Sequence, residues 1–360
     1  MNKLNPLFLL ILMLGYAGCD GNEPVTKESI TSSVTEISTG YEQHISTINV
    51  TASREWMAYS NESWITCNPS SFITTTGTVT VTISANASQQ PREGSVILKA
   101  GSERVTIPVT QERGPESEIT GPEGYTLVWN DEFDEGNQPN TAEWWYETGG
   151  HGWGNNELQN YVTGSQGGEQ LAKIENGILT ITAKKIGGTV YSIRMNTTKS
   201  WTYGYFEARL KVPVGKGTWP AFWMMPQNFN AWPDDGEIDI MEHVGYNPNV
   251  IHSSIHCKAY YHSIGTQKTG TRSVPTAQTE FHVYAVEWTP DFIKGYVDGV
   301  NYFTFLNDKT NNYNTWPFFN PFYLKLNLAW GGDWGGAQGI DESFLPANYQ
   351  IDYVRVFQKQ

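Results

Sequence analysis

The stretch Trp201-Thr202-Tyr203-Gly204-Tyr205-Phe206-Glu207-Ala208-Arg209-Leu210-Lys211-Val212 carries the pattern that decides the fold. Phe206, Ala208, Leu210 and Val212 are apolar, and the positions between and before them (Trp201, Tyr203, Tyr205, Glu207, Arg209) are aromatic or charged. Successive side chains of a strand point to opposite faces, so a period of two predicts one buried and one decorated face. Phe322–Ala329 repeats the pattern, with Phe322, Leu324, Leu326 and Leu328 opposed to Tyr323, Lys325 and Asn327. No stretch from Tyr125 onward shows a helical stripe. An all-β domain of this length predicts a large two-sheet sandwich, a β-jelly-roll, with one curved sheet carrying polar and aromatic side chains into a cleft.

Upstream the composition changes. Residues 24–113 are dense in Thr, Ser and Val, and Thr78-Val79-Thr80-Val81-Thr82-Ile83-Ser84 alternates polar and β-branched residues. With Ser95–Leu98, Val105–Val109 and regular turn signals, this predicts a small immunoglobulin-like β-sandwich. Trp56, Trp64-Ile65, Asn86, Arg92-Glu93-Gly94 and Val109-Thr110-Gln111 resemble the BACON domain found before bacterial carbohydrate-active enzymes. That resemblance implies a spacer or a weak glycan binder, with Trp56 and Trp64 read as core rather than ligand platforms. Residues 114–122, with two Pro and two Gly, read as a solvated linker, and 123–360 as the second domain.

The first residues read as a targeting signal. Lys3 precedes an apolar run, Leu7–Leu14, too short to span a bilayer, and small residues follow. Leu14–Cys19 resembles a bacterial lipobox. The expectation is a signal peptide over 1–18, lipidation of Cys19 and a tether over 19–23, giving an exported lipoprotein held by lipid at the outer membrane, cell surface or periplasmic face. Cys67 and Cys257 fall in different domains and read as small buried or semi-buried residues. The formal charge of −14 argues against nucleic acid as a partner. The 14 Trp and 19 Tyr suit a neutral, hydroxyl-rich ligand such as a sugar, although an aromatic-rich β core would also use them.

The chemistry is concentrated in Gly236-Glu237-Ile238-Asp239-Ile240-Met241-Glu242. Glu237 and Asp239 share a strand face, but regular alternation would aim Glu242 at the other one. Two successive apolar residues, Ile240 and Met241, mark the parity slip of a β-bulge, which returns Glu242 to the face of the first two acids. Strand rise puts Cα atoms 237 and 242 about 13–16 Å apart. Side chains leaning inward bring their carboxyls toward the ~5–5.5 Å separation of a retaining glycosidase. A solvated acidic face or a cation site is the alternative, but Ca²⁺ is usually held by loop oxygens.

This heptapeptide resembles the signature of glycoside hydrolase family 16 in its bulge-containing form. Trp129–Phe133, Gly152–Tyr161, Tyr203–Arg209, Gly217–Met224, Leu326–Gly332 and Ile351–Val356 extend the likeness in order over residues 125–360. The resemblance implies a concanavalin A-like jelly roll and a laminarinase or mixed-linkage β-glucanase (licheninase-like) cutting internal bonds of β-1,3- or β-1,3/1,4-glucan with retention. It implies Glu237 as nucleophile, Glu242 as acid/base, and Asp239 as hydrogen-bonding the nucleophile and tuning its protonation. Trp219, Trp223 and Trp232 would be stacking platforms, with a core role the alternative for Trp223. Asn156, Arg194, His256 and Asn327 would contact sugar hydroxyls, with a structural role the alternative for His256. Trp330, bulkier than in many relatives, would reshape one subsite, and Lys258–Val274 would form a cleft-side loop. The family implies an optional structural Ca²⁺ at Glu132, the Gly177 carbonyl and Asp352; the chemistry itself requires no cofactor. A monomer is expected. A lectin-like glucan-binding protein on the same fold is the rival, disfavoured by the presence of all three acids.

Overall fold

The computed structural model describes residues 27–88, 90–114 and 119–359. The expected signal peptide, Cys19 and its tether lie outside these residues. The chain divides between Glu118 and Ile119 into two compact units.

The first unit is a β-sandwich of a four-stranded and a five-stranded sheet. Its core is filled by the aliphatic residues that the alternation singled out, among them Val79, Val81, Ile83, Val96, Leu98, Ile107 and Val109. Trp56 is buried and stacks on Phe72, and Trp64 packs beneath the Arg92 guanidinium. Asn86 and Gln111 spend their amides on backbone carbonyls. The residues that carry the BACON resemblance therefore hold this unit together.

The second unit is a jelly roll of a ten-stranded and a seven-stranded sheet packed face to face. In Gly204–Lys211 and the residue after it, Phe206, Ala208, Leu210 and Val212 all enter the core between the sheets. In Phe322–Trp330 the even residues Phe322, Leu324, Leu326 and Leu328 do the same. The seven-stranded sheet runs Trp144–Tyr146, Arg194–Thr197, Phe322–Trp330, Thr218–Pro226, Glu237–Glu242, Val250–His256 and Lys268–Ser273. The odd residues of its central strands, among them Trp219, Trp223, Lys325 and Asn327, line a cleft on the face away from the core.

Two expectations change. Ile119, read as linker, packs with Tyr125, Leu127 and Tyr296 against Tyr205, Ala285 and Phe357, so the domain begins before residue 123. The segment Lys258–Val274 is not wholly loop: Lys268–Ser273 adds an edge strand beside Val250–His256.

Candidate active site

The acidic strand, Glu237–Glu242, bears the bulge. Toward Thr218–Pro226, Asp239 pairs with Trp223 and Met241 with Phe222, leaving Ile240 without a partner position. Toward Val250–His256, Asp239 pairs with Ser254 and Glu242 with His252, so Ile240 and Met241 together face Ser253. The Ser253 hydroxyl donates to the Asp239 carbonyl at 2.7 Å beside the irregularity. Ile238, Ile240 and Met241 are all fully buried in the core. One extra apolar residue is thereby absorbed, and Glu237, Asp239 and Glu242 line the same cleft of about 880 Å³.

Each outer acid accepts an indole N–H. Trp232 donates to Glu237 Oε2 at 3.2 Å, and Trp219 donates to Glu242 Oε1 at 3.1 Å. Nε2 of His256 lies 3.4 Å from Asp239 Oδ2 and 3.9 Å from Glu237 Oε1. Burial raises the proton affinity of the whole row, and the carboxylates repel one another. Glu237 is pushed up to about 7 by burial and then by the Asp239 charge; His256, Arg194 and the Trp232 N–H pull the other way. Burial lifts Asp239 to about 8. Glu242 stands well above its ordinary range through burial, then Asp239. Such a row binds and releases protons as a unit.

The cleft continues across neighbouring strands. Trp223 lies in the cleft rather than the core, and its N–H donates to Asn327 Oδ1 at 2.7 Å. The Asn327 amide in turn donates to the Tyr161 hydroxyl, so both ends of this residue are engaged internally. Arg194 sits over Trp153 and Trp223 and pairs with Glu147, which also accepts from Lys325 at 2.7 Å. Burial alone would raise Glu147, but Arg194 and Lys325 hold it below its usual value. Lys325, almost without solvent contact, is pulled down to about 7 by burial and then by Arg194. Trp232 remains about one-third exposed, with Tyr261 and His262 of the inserted segment around its ring.

Two expected site residues fall elsewhere. Asn156 is exposed, does not line the cleft and donates to Asp333; its neighbours Asn155 and Glu157 line the cleft instead. Trp330 is buried in the core and does not line the cleft. It belongs to the even face of its strand, the face of Leu326 and Leu328, whereas Asn327 belongs to the odd face. The expected cation ligands are differently engaged. Glu132 holds both oxygens in the fork of Arg355, and Asp352 accepts from Arg209. Each of these two carboxylates thus has an arginine partner within the domain.

Glu147, Trp153, His252, Lys325 and Trp334 also line the cleft and were not singled out in the sequence. Strand parity would have found Lys325, which alternates with Tyr323 and Asn327. Glu147 and Trp153 lie at strand ends and in loops, where no period reports direction.

Comparison with known proteins decides the class. The model of Glycosyl hydrolases family 16 matches residues 159–355. The chain belongs to glycosyl hydrolase family 16. A second model, the BACON putative binding domain, matches residues 54–112. A beta-glucanase of Rhodothermus marinus is 48% identical over 246 residues, covering 65% of this chain and 85% of the relative. The solved laminarinase of Rhodothermus marinus superimposes with a TM-score of 0.62 at 48% identity, over 65% of this chain and 97% of that one. A non-specific endo-beta-1,3(4)-glucanase of the family gives a TM-score of 0.63 at 43% identity, over 67% and 94%. This family-16 chain is a glycoside hydrolase, and its carboxylate row lines the cleft.

Proposed function

We propose that the chain is a retaining endo-β-glucanase that hydrolyses internal linkages of β-1,3-glucan or mixed-linkage β-1,3/1,4-glucan. The observation that carries the reading is the bulge that turns Glu242 back beside Glu237 and Asp239 in a tryptophan-lined cleft. The named activities of the relatives agree with it. Glu237, as a carboxylate, attacks the anomeric carbon as Glu242, whose burial favours its protonated form, gives its proton to the departing glycosidic oxygen. The products are a free chain end and a glycosyl ester on Glu237. Glu242, now a carboxylate, removes a proton from water, which displaces Glu237 and restores the starting configuration. Asp239 and His256 lie against Glu237 and govern its proton; Trp232 holds its lone pair.

Reducing-sugar release from laminarin and barley β-glucan tests this reading, with proton NMR of the first-formed anomer. Activity should fall at least several hundredfold in Glu237→Gln or Glu242→Gln, the scale of losing a nucleophile or an acid–base group. Either variant cutting at wild-type rate, or an inverted anomer, refutes it.

We further propose, from the sequence of residues 1–23, that the enzyme is exported and lipid-anchored through Cys19, and that it acts as a monomer. Palmitate labelling in cells should disappear in Cys19→Ala. Light scattering of the protein lacking residues 1–23 should give one chain per particle.

A further inference from the structure

Imidazole Nε2 of His256 faces Oδ2 of Asp239 at 3.4 Å and Oε1 of Glu237 at 3.9 Å. Donor atoms of these three side chains lie within 4.8 Å of one another, a grouping seen nowhere else among the described residues. Asp239 is 3% exposed, and its Oδ2 is aimed into this space without a hydrogen-bond partner. An unsatisfied carboxylate oxygen at such depth is costly unless a proton or a cation meets it.

The spacing is selective. Zn²⁺ holds N and O donors at ~2.0–2.1 Å, so donors at the corners of its tetrahedron stand about 3.3–3.4 Å apart. His256 and Asp239 already have that separation. Glu237 lies 3.9 Å from His256 and within 4.8 Å of Asp239, so its carboxylate has to move in by up to about 1.4 Å, within reach of a Glu side chain turning about its own bonds. Two carboxylates and one imidazole suit Zn²⁺ or Cu²⁺, whereas Ca²⁺ and Mg²⁺ favour oxygen donors alone. All three residues line the open cleft, so an ion held there can complete its shell with solvent.

We propose that Glu237, Asp239 and His256 form an inhibitory site for a divalent transition-metal ion of the Zn²⁺ class. The ion occupies the lone pairs with which Glu237 would attack, so metal and glycosyl transfer exclude one another; this inhibitory clause rests on the proposed role of Glu237, but binding does not.

The test is isothermal titration of the full chain with ZnCl₂ in the absence of glucan, followed by laminarin hydrolysis over the same Zn²⁺ range. Saturable binding is expected, not displaced by Ca²⁺ or Mg²⁺. It should weaken at least ~100-fold in His256→Asn and Asp239→Asn, more than removal of a group that merely supports a ligand costs. Hydrolysis should fall as the site fills and return with EDTA. Absence of saturable binding, or wild-type affinity in both variants, overturns the site. Should a variant fail to fold, zinc-edge X-ray absorption of the wild type reads the donors directly. A mixed nitrogen–oxygen shell supports the proposal and a sulfur-containing shell overturns it. If the protein cuts neither glucan, calorimetry still reports on the metal site, so the two readings fail separately.

Discussion

Trp232→Phe isolates the hydrogen bond on the proposed nucleophile. The indole N–H reaches Glu237 Oε2 at 3.2 Å, and phenylalanine keeps an apolar ring while removing the donor. Hydrogen bonds to charged groups contribute roughly 1.5–3 kcal/mol. Trp232 is 36% exposed, so water replaces part of the loss, and about 1–1.5 kcal/mol is the working figure. Since ~1.4 kcal/mol corresponds to a tenfold change in proton affinity, the donor's loss raises the Glu237 pKa further above its ordinary range, by up to about one unit. The sign follows from charge: the donor stabilises the carboxylate, so without it the proton leaves at higher pH. The assay is kcat/KM on a soluble β-glucan from pH 5 to 9, whose acid limb reports the free enzyme. The limb should move to higher pH by close to one unit, costing about tenfold in rate below it and much less on the plateau. A uniform loss at every pH, with the limb in place, would show that the indole only stacks on substrate and would refute the reasoning.

The same electrostatics makes Glu237 a burden on folding. Its folded pKa of about 7 exceeds the ordinary 4.5, so its ionisation destabilises the fold increasingly as pH rises through that window. Glu237→Gln should therefore stabilise the catalytic domain by about 3 kcal/mol at pH 8, with the gain vanishing near pH 4 in paired melting curves. Trp330→Ala should cost about 3–5 kcal/mol in denaturant unfolding by opening a core cavity. A stable Trp330→Ala protein with altered product lengths would instead put this side chain in the cleft. Gly245 has no room for a methyl group, since an added Cβ would lie 1.8 Å from the Gly215 carbonyl oxygen. Gly245→Ala should lower the melting temperature, with a cost of about 1–3 kcal/mol or more.

Period two along Gly204–Lys211 and Phe322–Trp330 determined the sandwich and named its core, because side-chain direction in a strand depends only on position along it. The doubled apolar residue Ile240-Met241 likewise announced the bulge, and with it the three acids on one face. The same parity also placed Trp330 inside; reading it as a subsite residue by family position, against its own face, led to the error. What the tertiary structure alone decided is which distant segments meet the acids. His256 reaches Asp239 through the pairing of two strands, Trp232 reaches Glu237 from a loop, and Glu147 joins Arg194 and Lys325 from three separate segments. Local alternation encodes which face a residue takes, whereas these encounters depend on long-range strand order and on loops, which follow no period.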